Sequence, residues 1–573
     1  MILTAQQRAV VDAAGNFLLL ACPGSGKTRS AAERAARLVG TPGAKLAICS
    51  YTNVGAERIG RVIASELRVS LGPKHFLGTI HGFLHRYVLR PYANLLGAER
   101  GPFVHEDGAW PDLRVHGDNA QRITLDRFRF DADGNLVVTQ IPRGVSGTAQ
   151  EIIASVGAEV RRRKTAIFRT AGVLTADDAM WIALKLLRTH PEIATAVAGR
   201  FTELLLDEAQ DTSELQLACL DVLHQTDAMQ SLVLVGDLEQ SIFSFQGASA
   251  ARCVQLAEDR GLDVLVLDEN HRSSQRICDV AINFCGREEP DNAVGSDAEC
   301  DIPPEVALYP TDKPTAAMDL YRRRLELHGI EVGNATVLAR RWNLVDALNG
   351  RTPLFDDGDR QYRLGRLAAR VAAGTLTRRD IEGAQRLIAY CAWNTTRIGE
   401  LEEKERHSLR RSAGELLERL PALEGNVRNW LLTARTVLDE LARALTPDIA
   451  HSGGQAVRTK PDHEQHVAVE VFCPEPRDLN ARTVHSFKGE DSDAVMVVIR
   501  RYHGNDPTAQ LDLLEAAVAG ADPQPEKQEE QRVLFVALTR ARRYCLVALP
   551  NDRRGRKVAE SCAHLGFEHV PDA

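Results

Sequence analysis

Several things are scarce in this chain, and each shortage excludes a class. No apolar run approaches the ~20 residues that span a bilayer, so no membrane partner is expected. The opening Met1-Ile2-Leu3-Thr4 lacks a basic segment followed by an apolar stretch, so secretion is not expected. The 11 cysteines are scattered singly. Without a C-x-x-C pair, the spacings of zinc and iron–sulfur sites are missing, and a reducing cytoplasmic location is expected. Positive charge is also short: 70 Lys and Arg against 78 Asp and Glu leave a net charge of −8. That argues against a nonspecific nucleic-acid coat but not against a local basic track, because affinity follows charge set against phosphates. Arg161–Lys164, Arg322–Arg324, Arg340-Arg341 and Arg540–Arg543 are pieces such a track could use; solvated helix faces are the other reading.

What is present begins with Leu204–Asp211, LLLDEAQD. An apolar strand ending in two acids sets them at the edge of a sheet, where open α/β folds bind ligands. There Asp207 can hold Mg²⁺ and Glu208 can orient a water towards a phosphate. A partner lies at Asn16–Thr28, NFLLLACPGSGKT. It fits the A-x-x-G-x-G-K-[ST] form of a phosphate loop, with Ala21 in the first place, then Pro23, Gly24, Ser25 and Gly26. Glycines allow backbone N–H groups close to phosphate; Lys27 reaches the β and γ phosphates, and the Thr28 hydroxyl ligates Mg²⁺.

Short apolar runs recur at Phe17–Ala21, Leu46–Cys49, Leu204–Leu206, Leu232–Val235, Val264–Leu267, Thr336–Leu338, Ala494–Ile499 and Cys545–Leu549, with helical patterns between most of them. Strands alternating with helices indicate parallel sheets covered on both faces, hence an α/β fold. The runs fall into two groups, before and after about Asp268. Residues 89–185 and 373–467 fit this rhythm least and read as mainly helical insertions, one in each α/β domain. The expected division is 1–88 with 186–268, then 269–372 with 468–573. Polar Arg287–Pro304 and Gly520–Gln528 read as exposed loops, and no internal repeat is evident.

Further motifs follow in order: Leu3–Gln7; Tyr51-Thr52-Asn53; Gly78–Phe83; Val235–Ala248; Asn270–Ser274; Thr483–Glu490; and Val536–Ala541. In this order, with the phosphate loop and the acid pair, the set resembles the UvrD/Rep/PcrA helicases of superfamily 1. The resemblance implies two RecA-like P-loop motor domains, ATP and Mg²⁺ in the cleft between them, and 3′→5′ movement on single-stranded DNA and duplex junctions. It assigns adenine contact to Gln7, a place near the nucleotide to Arg29, γ-phosphate sensing to Gln240, and adenine stacking to the position of His271. Arg272 and Arg540 become arginine fingers, and Glu490 the acid that meets ribose or ATP. For DNA it points to Tyr51, Phe243 and Phe245 as stacking rings, and to Thr52, Asn53, Thr79, His81, Thr483 and His485 as phosphate contacts. Stacking on aromatic rings tolerates any base, which suits a translocase.

The chain departs from its relatives in places. Phe245 and Gln246 stand where Trp and Arg are usual, His271 where Tyr is, and K-G-E replaces K-G-L-E. Two activities compete: an ATP-driven helicase or translocase, and a DNA-stimulated ATPase serving as sensor or regulatory subunit of a nuclease complex. RNA unwinding is a third. The compact layout, Thr79–Tyr87 and the K-G-E form resemble the small UvrD-like helicases of Gabija-type anti-phage systems, which work beside an OLD-family ATPase–nuclease. DNA repair is the alternative role.

Overall fold

Alternate residues of the apolar runs face opposite sides of a sheet, and here both sides are buried. Leu18, Ala47, Cys49, Leu204, Leu206, Leu232 and Leu234 share one core; Phe17, Leu19, Leu46, Ile48, Leu205, Val233 and Val235 share the other. Burial on both faces is why the strands read as continuous rather than alternating apolar segments. The structure, a computed structural model, describes residues 3–104, 110–117, 121–142, 144–242, 250–349, 360–393, 403–446, 465–472, 478–500, 510–521 and 527–570.

The first sheet is built from β1 (Phe17–Ala21), β2 (Leu46–Ser50), β3 (Phe76–Thr79), β4 (Glu203–Asp207), β5 (Leu232–Gly236) and β6 (Asp263–Leu267). Their order is β6-β1-β5-β4-β2-β3, and every pairing is parallel. The second contains β7 (Glu305–Tyr309), β8 (Ala335–Ala339), β9 (Ala481–Thr483), β10 (Ser492–Val498), β11 (Ala541–Pro550) and β12 (Glu568–His569). It runs β9-β8-β10-β11-β7-β12, parallel at each pairing from β8 to β12. These are the two parallel sheets of a double RecA-like α/β fold.

At the base of each sheet a buried glutamate is clamped by an arginine from a helix. Arg34, on helix α2 (Lys27–Val39), donates to Glu203 at 2.9 and 2.6 Å, and Ser231 Oγ donates to the same carboxylate at 3.0 Å. Arg324 Nε donates to Glu305 at 2.8 Å, and the Tyr544 hydroxyl does so at 2.5 Å. A buried charge persists only when paired and hydrogen-bonded, so both clamps fix strand starts rather than add much net stability.

The chain forms two compact units: residues 1–106, 112–340 and 482–573 in one, 107–111 and 341–481 in the other. The first holds both sheets. Within it, residues 89–185 carry the long helix Ala149–Ala171, which opens with a Thr148/Glu151 capping box, and three short strand pairs that the sequence reading lacked. The second unit is helical, with a core shared by helices Arg360–Ala372, Arg378–Trp393, Glu403–Arg419, Val427–Leu445 and Ala468–Phe472. A Cβ on Gly365 would lie 2.2 Å from the Phe472 ring, so glycine is required there. Residues 373–467 fall inside this unit. Among the described residues, no helix is long and apolar enough to cross a membrane.

Candidate nucleotide cleft and DNA-facing edge

The motifs of the first sheet all emerge at the C-terminal ends of its strands. β1 runs into the phosphate loop, where Gly24 and Gly26 take φ of 75° and 78°, a left-handed region that costs other residues. Gly26 leads directly into α2, whose free N–H groups and positive dipole end favour phosphate. Ser25 Oγ is buried and has no hydrogen-bond partner among the described residues. β4 delivers Asp207 and then Glu208, a non-glycine residue at φ 56°. Such backbone strain, worth ~1–3 kcal/mol, persists where surrounding contacts enforce it. Here Glu208 N–H donates to Asp207 Oδ1 at 3.0 Å, and Gln210 Nε2 donates to Glu208 Oε2 at 2.6 Å.

Lys27 Nζ lies 3.5 Å from Glu208 Oε1, and Thr28 Oγ1 donates to Asp207 Oδ2 at 3.3 Å. Burial works against charge on Lys27, but Glu208, Asp237 and Asp207 outweigh it and raise its pKa. Burial and the neighbouring Glu208 charge push Asp207 above the usual carboxylate range. Burial opposes ionisation of Glu208 too, yet Lys27 and Lys488 hold it low and ionised. One oxygen pair, Thr28 and Asp207, therefore sits beside an ionised carboxylate and an ammonium.

Cations from the second sheet region close the other wall. Arg540 precedes β11 and is 1% exposed; its Nη2 donates to Gln240 Oε1 at 2.9 Å. Burial, with Arg272 nearby, lowers its pKa to about 9. Arg272 donates to Thr539 O at 3.0 Å and pairs with Asp491 at 3.5 Å. Lys488 Nζ donates to Gln240 O at 2.6 Å and also bonds the Asp211 carboxylate. His271 N–H donates to Gly24 O at 3.1 Å. Together these elements enclose a cleft of about 490 Å³.

Gly24, Ser25, Gly26, Lys27, Thr28, Arg29, Glu208, Gln240, His271, Arg272 and Arg540 line this cleft. Arg29 does so while paired with Glu33 and Glu66. Gln7, Ala21, Pro23, Asp207 and Glu490 are not among its lining residues. Gln7 completes a capping box with Thr4, and its Nε2 donates to Ser25 O at 3.0 Å, so it braces the phosphate loop. Glu490 is paired with Arg482 at 2.8 Å, and the next residue, Asp491, lines the cleft instead. Asp491 stands three residues after Lys488, the place that the acid holds in K-G-L-E, with Glu490 in the place of the Leu. Sequence reasoning also passed over Lys488, Asp491, Gln210 and Arg287. The first two lay in or beside a quoted motif. Arg287 lay in a stretch read as an exposed loop, whereas it pairs with buried Asp237 at 3.0 Å, and Asn292–Ala293 forms strand pairs with Glu269–Asn270.

Of the residues expected to meet DNA, Phe243 and Phe245 lie outside the described residues. Tyr51 is half-buried, and burial together with Asp211 pushes its phenol up to about 12. Thr52 and Asn53 are exposed. A short repeat that the sequence reading missed becomes visible here: T-I-H-G-F at Thr79–Phe83 after β3, and T-V-H-S-F at Thr483–Phe487 after β9. Each Thr caps its helical turn, accepting N–H from Gly82 at 3.0 Å and from Ser486 at 3.2 Å. Thr52 does the same for Gly55 at 3.0 Å. A capping hydroxyl keeps its own O–H to donate. Burial lowers both His81 and His485 to about 4, so these rings are neutral near pH 7; His485 Nε2 lies 3.1 Å from Ile242 O.

Comparison with known proteins agrees with this geometry. Residues 3–260 match the UvrD/REP helicase N-terminal domain. The chain is 28% identical over 313 residues to ATP-dependent DNA helicase UvrD1 of Mycobacterium leprae, covering 49% of this chain and 39% of that protein. It is 28% identical over 290 residues to PcrA of Leuconostoc citreum (48% and 38%), and 27% over 299 residues to Rep of Salmonella typhimurium (48% and 42%). The aligned part thus spans about two fifths of the length of these relatives. Residues 3–260 are thus similar to the UvrD/REP helicase N-terminal domain, and they are followed by a second parallel sheet whose cations enter the same cleft.

Proposed function

We propose that the chain is an ATP-driven 3′→5′ DNA helicase or single-stranded DNA translocase. The observation that carries this reading is the joint wall of the cleft, with Lys27 and Glu208 after strands of the first sheet, Arg540 before a strand of the second, and Arg272 bonded beside it to Thr539 O. Phosphoryl transfer is catalysed mainly by positioning and charge, and an arginine finger contributes ~10³–10⁵ in rate. In this reading Lys27 holds the β and γ phosphates, Glu208 orients the attacking water, and Gln240 senses the γ-phosphate. The hard oxygen donors of Thr28 and Asp207 suit Mg²⁺, which when bound neutralises charge on the phosphate oxygens. Asp491 rather than Glu490 takes the ribose-side contact. Because the arginines come from the second sheet region, hydrolysis depends on closure of the cleft. Tyr51, Phe243 and Phe245 stack bases; Thr52, Asn53, Thr79, His81, Thr483 and His485 meet phosphates without reading sequence.

The test is ATP hydrolysis with and without single-stranded DNA, beside strand displacement on duplexes with a 3′ or a 5′ tail. DNA-stimulated hydrolysis with displacement only from the 3′ tail supports the motor. Stimulated hydrolysis without displacement supports the second reading, a sensor or regulatory subunit. For pathway, the resemblance to Gabija-type helicases favours phage defence beside an OLD-family ATPase–nuclease, with repair as the alternative. Co-purification with the product of the neighbouring gene decides between them.

A further inference from the structure

Asp237 follows β5 and is fully enclosed, its side chain 0% exposed. A carboxylate in that position must be paired and hydrogen-bonded. Oδ2 accepts from Gln240 Nε2 at 2.6 Å. Oδ1 accepts from Glu239 N–H at 3.1 Å and from Arg287 Nη2 at 3.0 Å. Arg287 does not line the cleft. It follows the Gln275–Ala281 helix, bonds Asp291 as well, and lies 5.7 Å over the Phe535 ring. It is thus fixed on several sides, its guanidinium shared between Asp237 and Asp291. Asp237 also stands close enough to Lys27 and Arg540 to act on both electrostatically.

Resting on the ATP-hydrolase reading above, we propose that Arg287 is a positioning residue for hydrolysis: it neutralises Asp237, so that this carboxylate orients the Gln240 amide instead of competing with phosphate for Lys27 and Arg540. Nε2 of Gln240 is held by Asp237, which turns Oε1 towards Arg540. Without Arg287 the enclosed carboxylate loses a counter-ion, and Lys27 and Arg540, which the reaction needs, remain within its electrostatic reach. Arg287 stands outside the cleft and reaches it through Asp237.

The test is steady-state hydrolysis by the full chain with saturating single-stranded DNA, comparing wild type, Arg287→Ala, Arg287→Lys, Asp237→Asn and the Arg287→Ala/Asp237→Asn pair. Arg287→Ala should lower kcat roughly tenfold or more, as loss of a preorganised electrostatic element does. KM for ATP and DNA affinity should change little, and Arg287→Lys should keep most of the rate. Adding Asp237→Asn to Arg287→Ala removes the stranded charge and should restore most of kcat; a merely structural arginine gives no such recovery. If Arg287→Ala does not fold, Arg287→Gln, which keeps N–H donors without the charge, carries the same comparison. Near-native kcat in the single variant, or a loss that the second substitution deepens, overturns the proposal while leaving the ATPase reading intact. A wild-type chain that does not hydrolyse ATP overturns both.

Discussion

Arg540 Nη2 and Gln240 Oε1 meet at 2.9 Å, a charged hydrogen bond from the start of β11 to the turn after β5. It ties the two sheets together at the cleft. Arg540→Ala is expected to cut ATP turnover by ~10³–10⁵ while largely sparing DNA affinity, since its charge is needed in the closed cleft. Gln240→Ala should cost less, and the double variant no more than Arg540→Ala alone, because partners in one contact are not additive. Steady-state rates of the three variants check this; losses that multiply would show that the residues act independently.

Lys27→Ala removes the ammonium beside Glu208 and is expected to abolish hydrolysis. Glu208→Gln keeps the shape of the side chain but not its charge, and should slow hydrolysis by ~10²–10⁴ without preventing nucleotide binding. A fluorescent ATP analogue measures binding separately from turnover. Near-native turnover in Glu208→Gln would remove the residue from the chemistry.

Asp491 has both the K-G-L-E spacing from Lys488 and the place in the cleft, and Glu490 has neither. Asp491→Ala should raise KM for ATP, and it also frees Arg272 and Arg542, which this carboxylate holds. Glu490→Ala breaks only a half-exposed pair with Arg482, and such pairs are worth about 0–1 kcal/mol. The reverse ranking of KM values would return the role to Glu490.

The paired histidines set a pH dependence of stability. His81 and His485 titrate at about 4 in the folded chain, below the ordinary 6.5, because burial disfavours their charge. Between those values the unfolded chain binds more protons, so these two groups lower stability as pH falls through that window. Thermal melts from pH 7 down to pH 4.5 should show a falling midpoint, and a His81→Gln/His485→Gln chain should show a shallower fall. Parallel curves would refute the assignment.

DNA binding should weaken linearly on a log–log salt plot, because phosphate contacts release counter-ions. Tyr51→Ala is expected to cost ~1–3 kcal/mol of single-strand affinity whatever the base composition. Fluorescence anisotropy on homopolymers at several salt concentrations tests both; equal affinity in wild type and variant would assign the ring to packing alone.

The eight apolar runs named from sequence mark strands of the two sheets, Ile499 lying one residue past its strand; burial on both faces makes most of them continuous, whereas Val264 and Val266 are exposed on edge strand β6. The strand Glu305–Tyr309 escaped notice because it opens on a charged residue, and Arg324, His328 and Tyr544, distant in sequence, make that burial tolerable. The phosphate loop and the acid pair were legible because their chemistry is local. Arg287 and Lys488 were not, since their roles arise where the two sheets meet. Asp491 shows the opposite case: its distance from Lys488 is that of the acid in K-G-L-E, so counting residues along the motif would have found it.

Gly24 sets how near the two walls of the cleft can stand. A Cβ at this position would stand 2.5 Å from Asn270 Oδ1 and 2.6 Å from the Arg272 Cβ. A single methyl group there would act as a wedge, prising the phosphate loop from the turn that carries Arg272. The tolerance on which the arginine's approach depends is therefore smaller than one carbon atom, and it is set by a residue with no side chain.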